Sequence, residues 1–263
     1  MVKLFQAFVR LSEEGYVSKE VELSQKRSVF NGCIGAIDGT LVRAHIPQKH
    51  QRNWRSRKGM VHQNVFAAVR MDGTFSYVLA GAEGSMNVST LLNHALAHGF
   101  TIPPNRFYLA DAGFGRQEGI IQPYYGIRYH LQEWREGNRG PETAEELYNL
   151  RQSGSRIIVE QVIGMIKRKW KILRETAPEY GLRTQMRIVY AVCGLHNFIC
   201  RDGEEEVDEE ADLPRWQRDQ LEQARQRCER LEGMLPPEIR EQIVRASWTA
   251  YLEEKRRRER RVD

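Results

Sequence analysis

Three acidic residues have the type and placement that metal-dependent phosphodiester chemistry requires. Asp38 follows the apolar run 34–37, Asp111 follows the apolar run 107–110, and Glu160 lies in a helical run. Hard cations such as Mg²⁺ prefer carboxylate oxygens and water as ligands. Two such cations, held by converging carboxylates, activate water and stabilise the leaving oxygen in phosphodiester cleavage. We therefore predict that Asp38, Asp111 and Glu160 are catalytic metal ligands, with Mg²⁺ or Mn²⁺ as the cofactor.

Each of these acids also has an ordinary structural interpretation. Asp38 precedes Gly39 and suits a plain turn. Asp111 suits the start of a loop, where a carboxylate caps local N–H groups, and Glu160 suits a first helical turn, where the helix dipole favours an acid. Taken one at a time, the three positions leave both interpretations open.

The element that carries Glu160 is predicted to be a helix from about Ser155 to Arg174. Its apolar residues form one stripe, and Glu160 lies at the edge of that stripe. The residues that share the face of Glu160 are Arg156, Gly164, Lys167 and Lys171. We predict that Arg156 and Lys167 contact phosphates, and that Gly164 lets a substrate or another backbone approach closely.

A second group of cations precedes the second predicted strand. Arg55, Arg57 and Lys58 flank one another beside Trp54, a mixture of basic and aromatic residues that suits a nucleic-acid backbone. An exposed, solvated loop has the same composition, so this alternative stays open. We predict that Arg55, Arg57 and Lys58 bind DNA phosphates.

Net charge supports a polyanionic partner. The 263-residue chain carries +5 overall, but residues 1–203 hold 27 Lys and Arg against 18 Asp and Glu. The remainder holds 13 against 17, so the chain has a basic front and an acidic rear. A basic surface suits nucleic acid. No apolar run reaches the roughly 20 residues that cross a bilayer, so we expect no membrane partner.

Cysteine and histidine spacing gives no zinc motif of the familiar kinds. Cys33, Cys193, Cys200 and Cys228 lack the Cys-x-x-Cys arrangement, which indicates a reducing compartment rather than a disulfide framework. No i, i+4 pair occurs within a set of five histidines, and we expect no histidine ligand from it. That set is His45, His62, His94, His130 and His196.

The order of elements predicts an α/β fold. Three extended runs (33–46, 61–70 and 74–81) precede a helix at 88–98 and a fourth strand at 107–110. Asp72-Gly73 predicts a tight hairpin turn, and residues 115–150 are expected to be an irregular insert. We predict a helical lead-in at 1–32, a nuclease domain at 33–201, an acidic linker at 202–214 and a helical, basic-ended extension at 215–263.

The joint pattern resembles the PIF/Harbinger transposase family of DDE-type endonucleases. The resemblance runs from about residue 33 to residue 200. The segments that carry it are Cys33 to Thr40, Arg55 to Asn64, Gly84 to Leu92, Tyr108 to Phe114, Arg156 to Lys167 and Leu195 to Ile199. Members related to fungal ones also share Tyr129-His130-Leu131 followed by Trp134.

The resemblance implies an RNase H-like mixed sheet flanked by helices and a DDE metal triad at Asp38, Asp111 and Glu160. It also implies divalent metal and nuclear DNA as the substrate. We expect a separate DNA-binding protein as a partner, and assembly into a homo-oligomer stays open. The expected location is the nucleus, with the cytoplasm as the open alternative.

The chain departs from the family pattern at several positions. Asn87-Val88-Ser89 stands where the family usually has His-Asp-Ser, Gln152 follows Arg151 where His is frequent, and Phe114 replaces Tyr. Two functions therefore remain: a transposase-derived, metal-dependent DNA endonuclease, or a catalytically inactive descendant that regulates by binding DNA or protein.

Overall fold

The structure is a computed structural model that describes residues 2–14, 16–24, 26–127, 140–175, 179–201, 214–231, 233–234 and 236–260. The strands are β1 Cys33–Arg43, β2 His62–Val69, β3 Phe75–Glu83, β4 Phe107–Leu109 and β5 Ile120–Ile121. The α-helices are α1 Val2–Phe8, α2 Lys19–Glu22, α3 Val88–Ala97, α4 Ala144–Lys169, α5 Leu182–Arg201, α6 Arg215–Glu229 and α7 Pro236–Glu259.

The five strands form one mixed sheet in the order β3-β2-β1-β4-β5. The β1/β2 and β2/β3 pairs are antiparallel, whereas β1/β4 and β4/β5 are parallel. The turn between β2 and β3 has the predicted form, because Gly73 has φ +86° and the Asp72 carboxylate accepts from the Thr74 amide at 2.7 Å. This mixed sheet with flanking helices confirms the predicted α/β class and is consistent with an RNase H-like fold.

Each face of the sheet packs against its own helical layer. On one face lie α4 and α5, whose buried side chains include Val159, Ile163 and Val189. On the other face lies α3, with Leu91 and Leu92 almost fully buried. Because successive strand residues point to opposite faces, alternate residues of β1 enter alternate layers.

The prediction for the start of the central helix was wrong. Helix α4 begins at Ala144, eleven positions before the predicted Ser155, inside the stretch expected to be irregular. The Thr143 hydroxyl accepts from the Glu146 amide at 3.2 Å, and the Glu146 carboxylate accepts from the Glu142 amide at 2.8 Å. This is a capping arrangement of Thr and Glu three residues apart, and the acids of the first turn reinforce it.

The helical C-terminal part packs back on the rest of the chain. Helix α7 contacts α4, and α6 contacts α2, where Arg227 pairs at 3.2 Å with the buried carboxylate of Glu22. The predicted acidic linker and the Tyr129–Trp134 segment fall largely or wholly outside the described residues. Among the described helices, none combines the length and apolar character that membrane crossing needs.

Candidate active site

The strand register brings the two aspartates to the same edge of the sheet. Ala36 of β1 pairs in parallel with Leu109 of β4. Asp38 and Asp111 each follow two residues later, so Asp111 lies just past the end of β4 and Asp38 lies at the same level in the middle of β1, which continues to Arg43. Ala36 and Leu109 both belong to the layer beneath α4, and residues two apart on a strand share a face. Asp38 therefore faces α4, the helix that carries Glu160.

The pKa of Asp38 depends on its burial and on the charged residues around it. Burial is the main cause that raises this pKa, and the charges of Glu160 and Asp111 raise it further. The hydrogen bond from the Gly39 amide (2.8 Å) and the charge of Arg156 oppose the increase, and the result is a pKa of about 6. Asp38, Asp111 and Glu160, which we call the carboxylate cluster, thus interact through their charges.

Asp111 is fixed by its own backbone. Its side chain accepts from the Ala112 amide at 2.8 Å and caps the short 3-10 helix Ala112–Phe114. The capping role expected for Asp111 is therefore real. This hydrogen bond engages Oδ1 with the adjacent amide.

Glu160 is held by an ion pair on its own helix. Its carboxylate lies 2.6 Å from the Arg156 guanidinium, one turn earlier, and its side chain is 46% exposed whereas that of Arg156 is 11% exposed. Among the described residues, no three carboxylate, imidazole or thiolate side chains converge closely enough to hold a metal ion. The three carboxylates of the cluster therefore interact through their charges without forming a metal site in this conformation. Glu160 must turn away from Arg156 before it could share a cation with the two aspartates.

Lys167 ties α4 to β1 beside the cluster. Its ammonium donates to the Thr40 hydroxyl at 2.6 Å and to the Leu41 carbonyl at 2.8 Å. Burial lowers the pKa of Lys167, while the charge of Asp38 raises it. Two of the three ammonium hydrogens are thus engaged within the protein, and the predicted phosphate contact would use the third.

Gly164 leaves the helix surface open next to Lys167. A Cβ at this position would lie 3.2 Å from the Arg168 guanidinium, the end of a flexible side chain on the same helix, and no backbone of another described element lies within 4 Å. Within the described part of the chain, no other element therefore occupies the space above Gly164, where close approach was predicted.

The basic loop, residues 52–58, lies on the surface near this end of the sheet. Arg55, Arg57 and Lys58 are exposed, and Arg55 donates to the Gly59 carbonyl at 2.9 Å. The charge of Lys58 lowers the pKa of Lys167, so this end of the loop lies within electrostatic range of the lysine beside Asp38. The loop and α4 together form a positively charged approach to the carboxylate cluster.

The N-terminal end of α3 packs on the opposite face of the sheet, next to the residues that follow Asp38 and Asp111. The Asn87 side chain caps the helix by accepting from the Thr90 amide at 2.8 Å. The methyls of Val88 lie 3.3 Å from a Cβ built at Gly39 and 3.0 Å from one built at Gly113. Val88 is thus packed between Gly39, the residue after Asp38, and Gly113, two residues after Asp111.

Gln152 is a supporting residue that the sequence analysis did not identify. Its side chain is fully buried on α4 and donates at 2.9 Å to the carbonyl of Ala110, the residue before Asp111. It lies two turns before Glu160 on the same helix. Its position after Arg151 in the motif was visible, but its contact with the end of β4 depends on how α4 packs.

Comparisons with known proteins identify the family of the chain. The chain is 23% identical over 214 residues to a protein of Arabidopsis thaliana described as Protein ALP1-like, which covers 73% of this chain and 50% of that relative. The chain thus spans about half the length of this curated relative. No solved structure matches the chain significantly. The family described as DDE superfamily endonuclease matches residues 37–197, which include the whole carboxylate cluster, and the chain belongs to this family.

Proposed function

We propose that the chain is a transposase-derived, divalent-metal-dependent DNA endonuclease that uses the carboxylate cluster as its catalytic centre. The supporting observation is that the negative charges of Glu160 and Asp111 act on Asp38 and raise its pKa. Three acids whose like charges interact lower their energy when a cation is placed among them. Membership of the DDE superfamily endonucleases agrees with this reaction class.

The donor chemistry of the cluster fits a hard divalent cation. Asp38, Asp111 and Glu160 offer carboxylate oxygens only, which suits Mg²⁺ or Mn²⁺. Asp38 and Asp111 are held by hydrogen bonds to adjacent amides, and Glu160 is half exposed and able to rotate. The bound cations would supply Lewis-acid activation of the attacking water or 3′-hydroxyl and of the leaving oxygen.

The other residues of the site orient the acids and attract the substrate. Arg156 offsets negative charge between Asp38 and Glu160, and Lys167 fixes the distance of α4 from β1. Because the pKa of Asp38 is about 6, its carboxylate is ionised and able to act as a ligand at neutral pH. Arg55, Arg57 and Lys58 would bind the DNA backbone together with Arg156 and Lys167.

A PIF/Harbinger-type origin and a nuclear site of action belong to this proposal. Their support is the ordered set of motifs from Cys33 to Ile199 and the likeness to the ALP1-like protein. A separate DNA-binding protein would recognise the target, and assembly into a homo-oligomer would allow two ends to be processed together.

A non-catalytic descendant that binds DNA or protein is the second candidate. Two observations favour it: the Arg156–Glu160 ion pair at 2.6 Å, and the Val88 methyls between Gly39 and Gly113. Both place a non-ligand group where a metal-dependent enzyme benefits from a free carboxylate.

Cleavage of supercoiled plasmid DNA in Mn²⁺ separates the two candidates. Asp38→Asn removes a proposed ligand, and we expect the rate to fall by about 10³-fold, the effect of losing several kcal/mol of transition-state stabilisation. Asp219→Asn makes the same chemical change at an exposed position of α6 and should cleave like the wild-type protein. Equal nicking by wild type and Asp38→Asn, or none by either, would support the non-catalytic candidate.

A further inference from the structure

The last turn of α3 carries two exposed histidines on one side. His94 and His98 are four residues apart, their ring centroids lie 4.2 Å apart and their planes are tilted by 50°. Residues at i and i+4 are neighbours on a helix surface. The five histidines considered in the sequence do not include His98, so this pair lies outside that expectation.

The structure defines which nitrogen of His98 is free. The Nδ1 atom of His98 lies 2.7 Å from the His94 carbonyl oxygen. A carbonyl oxygen has no hydrogen to donate, so Nδ1 must be the donor. In the neutral ring, the lone pair is then on Nε2. An Nδ1–H bond to a backbone carbonyl is the arrangement that orients histidines which bind metals through Nε2.

The backbone beneath the pair is also held in place. The Tyr77 hydroxyl donates to the His98 carbonyl at 2.9 Å, and the His98 amide donates to the Ala95 carbonyl at 3.0 Å. Burial raises the pKa of Tyr77 to about 12, so this hydroxyl keeps its proton at physiological pH. The second histidine is therefore anchored at the end of a helix by two hydrogen bonds besides its own.

The electrostatics of this position favour a cation. The C-terminal end of a helix carries partial negative charge from the aligned peptide dipoles. Two nitrogens bound to one tetrahedral metal at about 2.0 Å each lie roughly 3.3 Å apart. The two exposed rings would reach this arrangement by turning about their side-chain bonds, which moves their centroids apart from the present 4.2 Å. Imidazole nitrogen prefers borderline ions such as Zn²⁺, Ni²⁺ and Cu²⁺ to Mg²⁺.

We propose that His94 and His98, the histidine pair, form a surface site for one borderline divalent transition metal. Because no third imidazole, thiolate or carboxylate converges there among the described residues, the remaining coordination positions stay open to water. The site is distinct from the carboxylate cluster. Helix α3 has ten residues and a length of about 15 Å, and the cluster lies at its opposite end.

Calorimetric titration of the untagged chain with Ni²⁺ and Zn²⁺ at pH 7.5 tests this site. We expect a metal-binding event with a stoichiometry of one that weakens at least tenfold in both His94→Asn and His98→Asn. His50→Asn is the matched control, because His50 is exposed and has no histidine four residues away. Mg²⁺ in excess should leave the Ni²⁺ titration unchanged, since Mg²⁺ prefers oxygen ligands.

Asp38→Asn separates the histidine pair from the carboxylate cluster in the same titration. We expect Ni²⁺ binding to persist in this variant whether or not the chain is a nuclease. Because both histidine side chains are exposed, we expect the variants to fold like the wild type, and thermal melting measures this. The proposal is overturned if the wild-type chain binds neither Ni²⁺ nor Zn²⁺, if the two histidine variants bind like the wild type, or if Asp38→Asn abolishes binding.

Discussion

The two ends of helix α3 face different chemistry. The N-terminal end, with its Asn87 cap, packs on the parts of β1 and β4 next to Asp38 and Asp111, whose side chains offer carboxylate oxygens. At the C-terminal end lie His94 and His98, where they are nitrogens. The first environment suits a hard cation and the second a borderline one. One helix therefore separates two kinds of metal preference.

The two ends also differ in how they depend on the fold. Asp38 is half-buried with a raised pKa, so its charge destabilises the folded state in the absence of a cation. The histidine pair is exposed, and His98 is held by hydrogen bonds that involve backbone carbonyls. Changes to the carboxylate cluster should therefore alter stability and its pH dependence, whereas changes to the histidine pair should alter binding alone.

The largest stability effect is expected for Asp38→Asn. The pKa of Asp38 is about 6 in the folded protein, above its ordinary value of 3.8, so folding favours the protonated acid. The stability that this protonation provides is complete below pH 4 and is lost as the pH rises through 6. Asparagine avoids the charge, and we expect the variant to be about 2 kcal/mol more stable than wild type at pH 8.

Urea unfolding of both proteins from pH 4 to pH 8 measures this difference. The gap should close near pH 4, and Mn²⁺ should narrow it at pH 8 by stabilising the wild-type protein alone. Asp219→Asn, at an exposed position, is expected to show no such pH dependence. A wild-type protein that is as stable as Asp38→Asn at pH 8 without metal would mean that Asp38 carries no excess charge energy.

Lys167→Met should have the next largest effect. The substitution keeps the length of the side chain but removes the donors to Thr40 and Leu41. We expect a loss of about 1.5 kcal/mol, because hydrogen bonds from charged groups contribute more than neutral ones. The midpoint of urea unfolding at pH 7 should fall with an unchanged slope.

Lys169→Met on the same helix is the matched control. Lys169 is exposed, and its Nζ atom lies 5.2 Å from the centroid of the Trp170 ring. Equal destabilisation by the two variants would mean that Lys167 contributes no more than a solvated lysine, and that α4 does not need this anchor on β1.

The smallest effects compare the two ends of α3 directly. Asn87→Ala removes the N-cap bond to the Thr90 amide and should cost about 1 kcal/mol. Tyr77→Phe removes the hydroxyl that donates to the His98 carbonyl but keeps the ring, and should cost about 0.5 kcal/mol. Thermal unfolding measures both. In addition, we expect Tyr77→Phe to weaken Ni²⁺ binding and Asn87→Ala to leave it unchanged. Weaker Ni²⁺ binding in Asn87→Ala than in Tyr77→Phe would contradict the separate roles of the two ends of α3.

The sequence was sufficient to predict the sheet and the meeting of the aspartates. Both acids follow short apolar runs, and because Ala36 pairs in parallel with Leu109, Asp38 and Asp111 lie at the same level of neighbouring strands. The structure differs in that β1 continues past Asp38 to Arg43, whereas β4 ends before Asp111. The helical periodicity around Glu160 likewise predicted a face shared with Arg156 and Lys167.

Other features depend on packing that the one-dimensional pattern does not contain. The position of Val88 between two glycines follows from how α3 crosses β1, and the contact of Gln152 with Ala110 follows from how α4 lies on β4. In contrast, the Thr143 cap and the i, i+4 spacing of His94 and His98 are local features, which the sequence alone is sufficient to predict.

The packing of Val88 has a consequence for how this protein tolerates substitution. Any side chain added at Gly39 would meet Val88 at 3.3 Å and Leu91 at 3.1 Å, and one added at Gly113 would meet Val88 at 3.0 Å. A smaller residue at position 88 makes room at Gly113, whereas room at Gly39 needs positions 88 and 91 to yield together. These four sites are energetically coupled, so the order of mutations decides which evolutionary routes around the two aspartates are open.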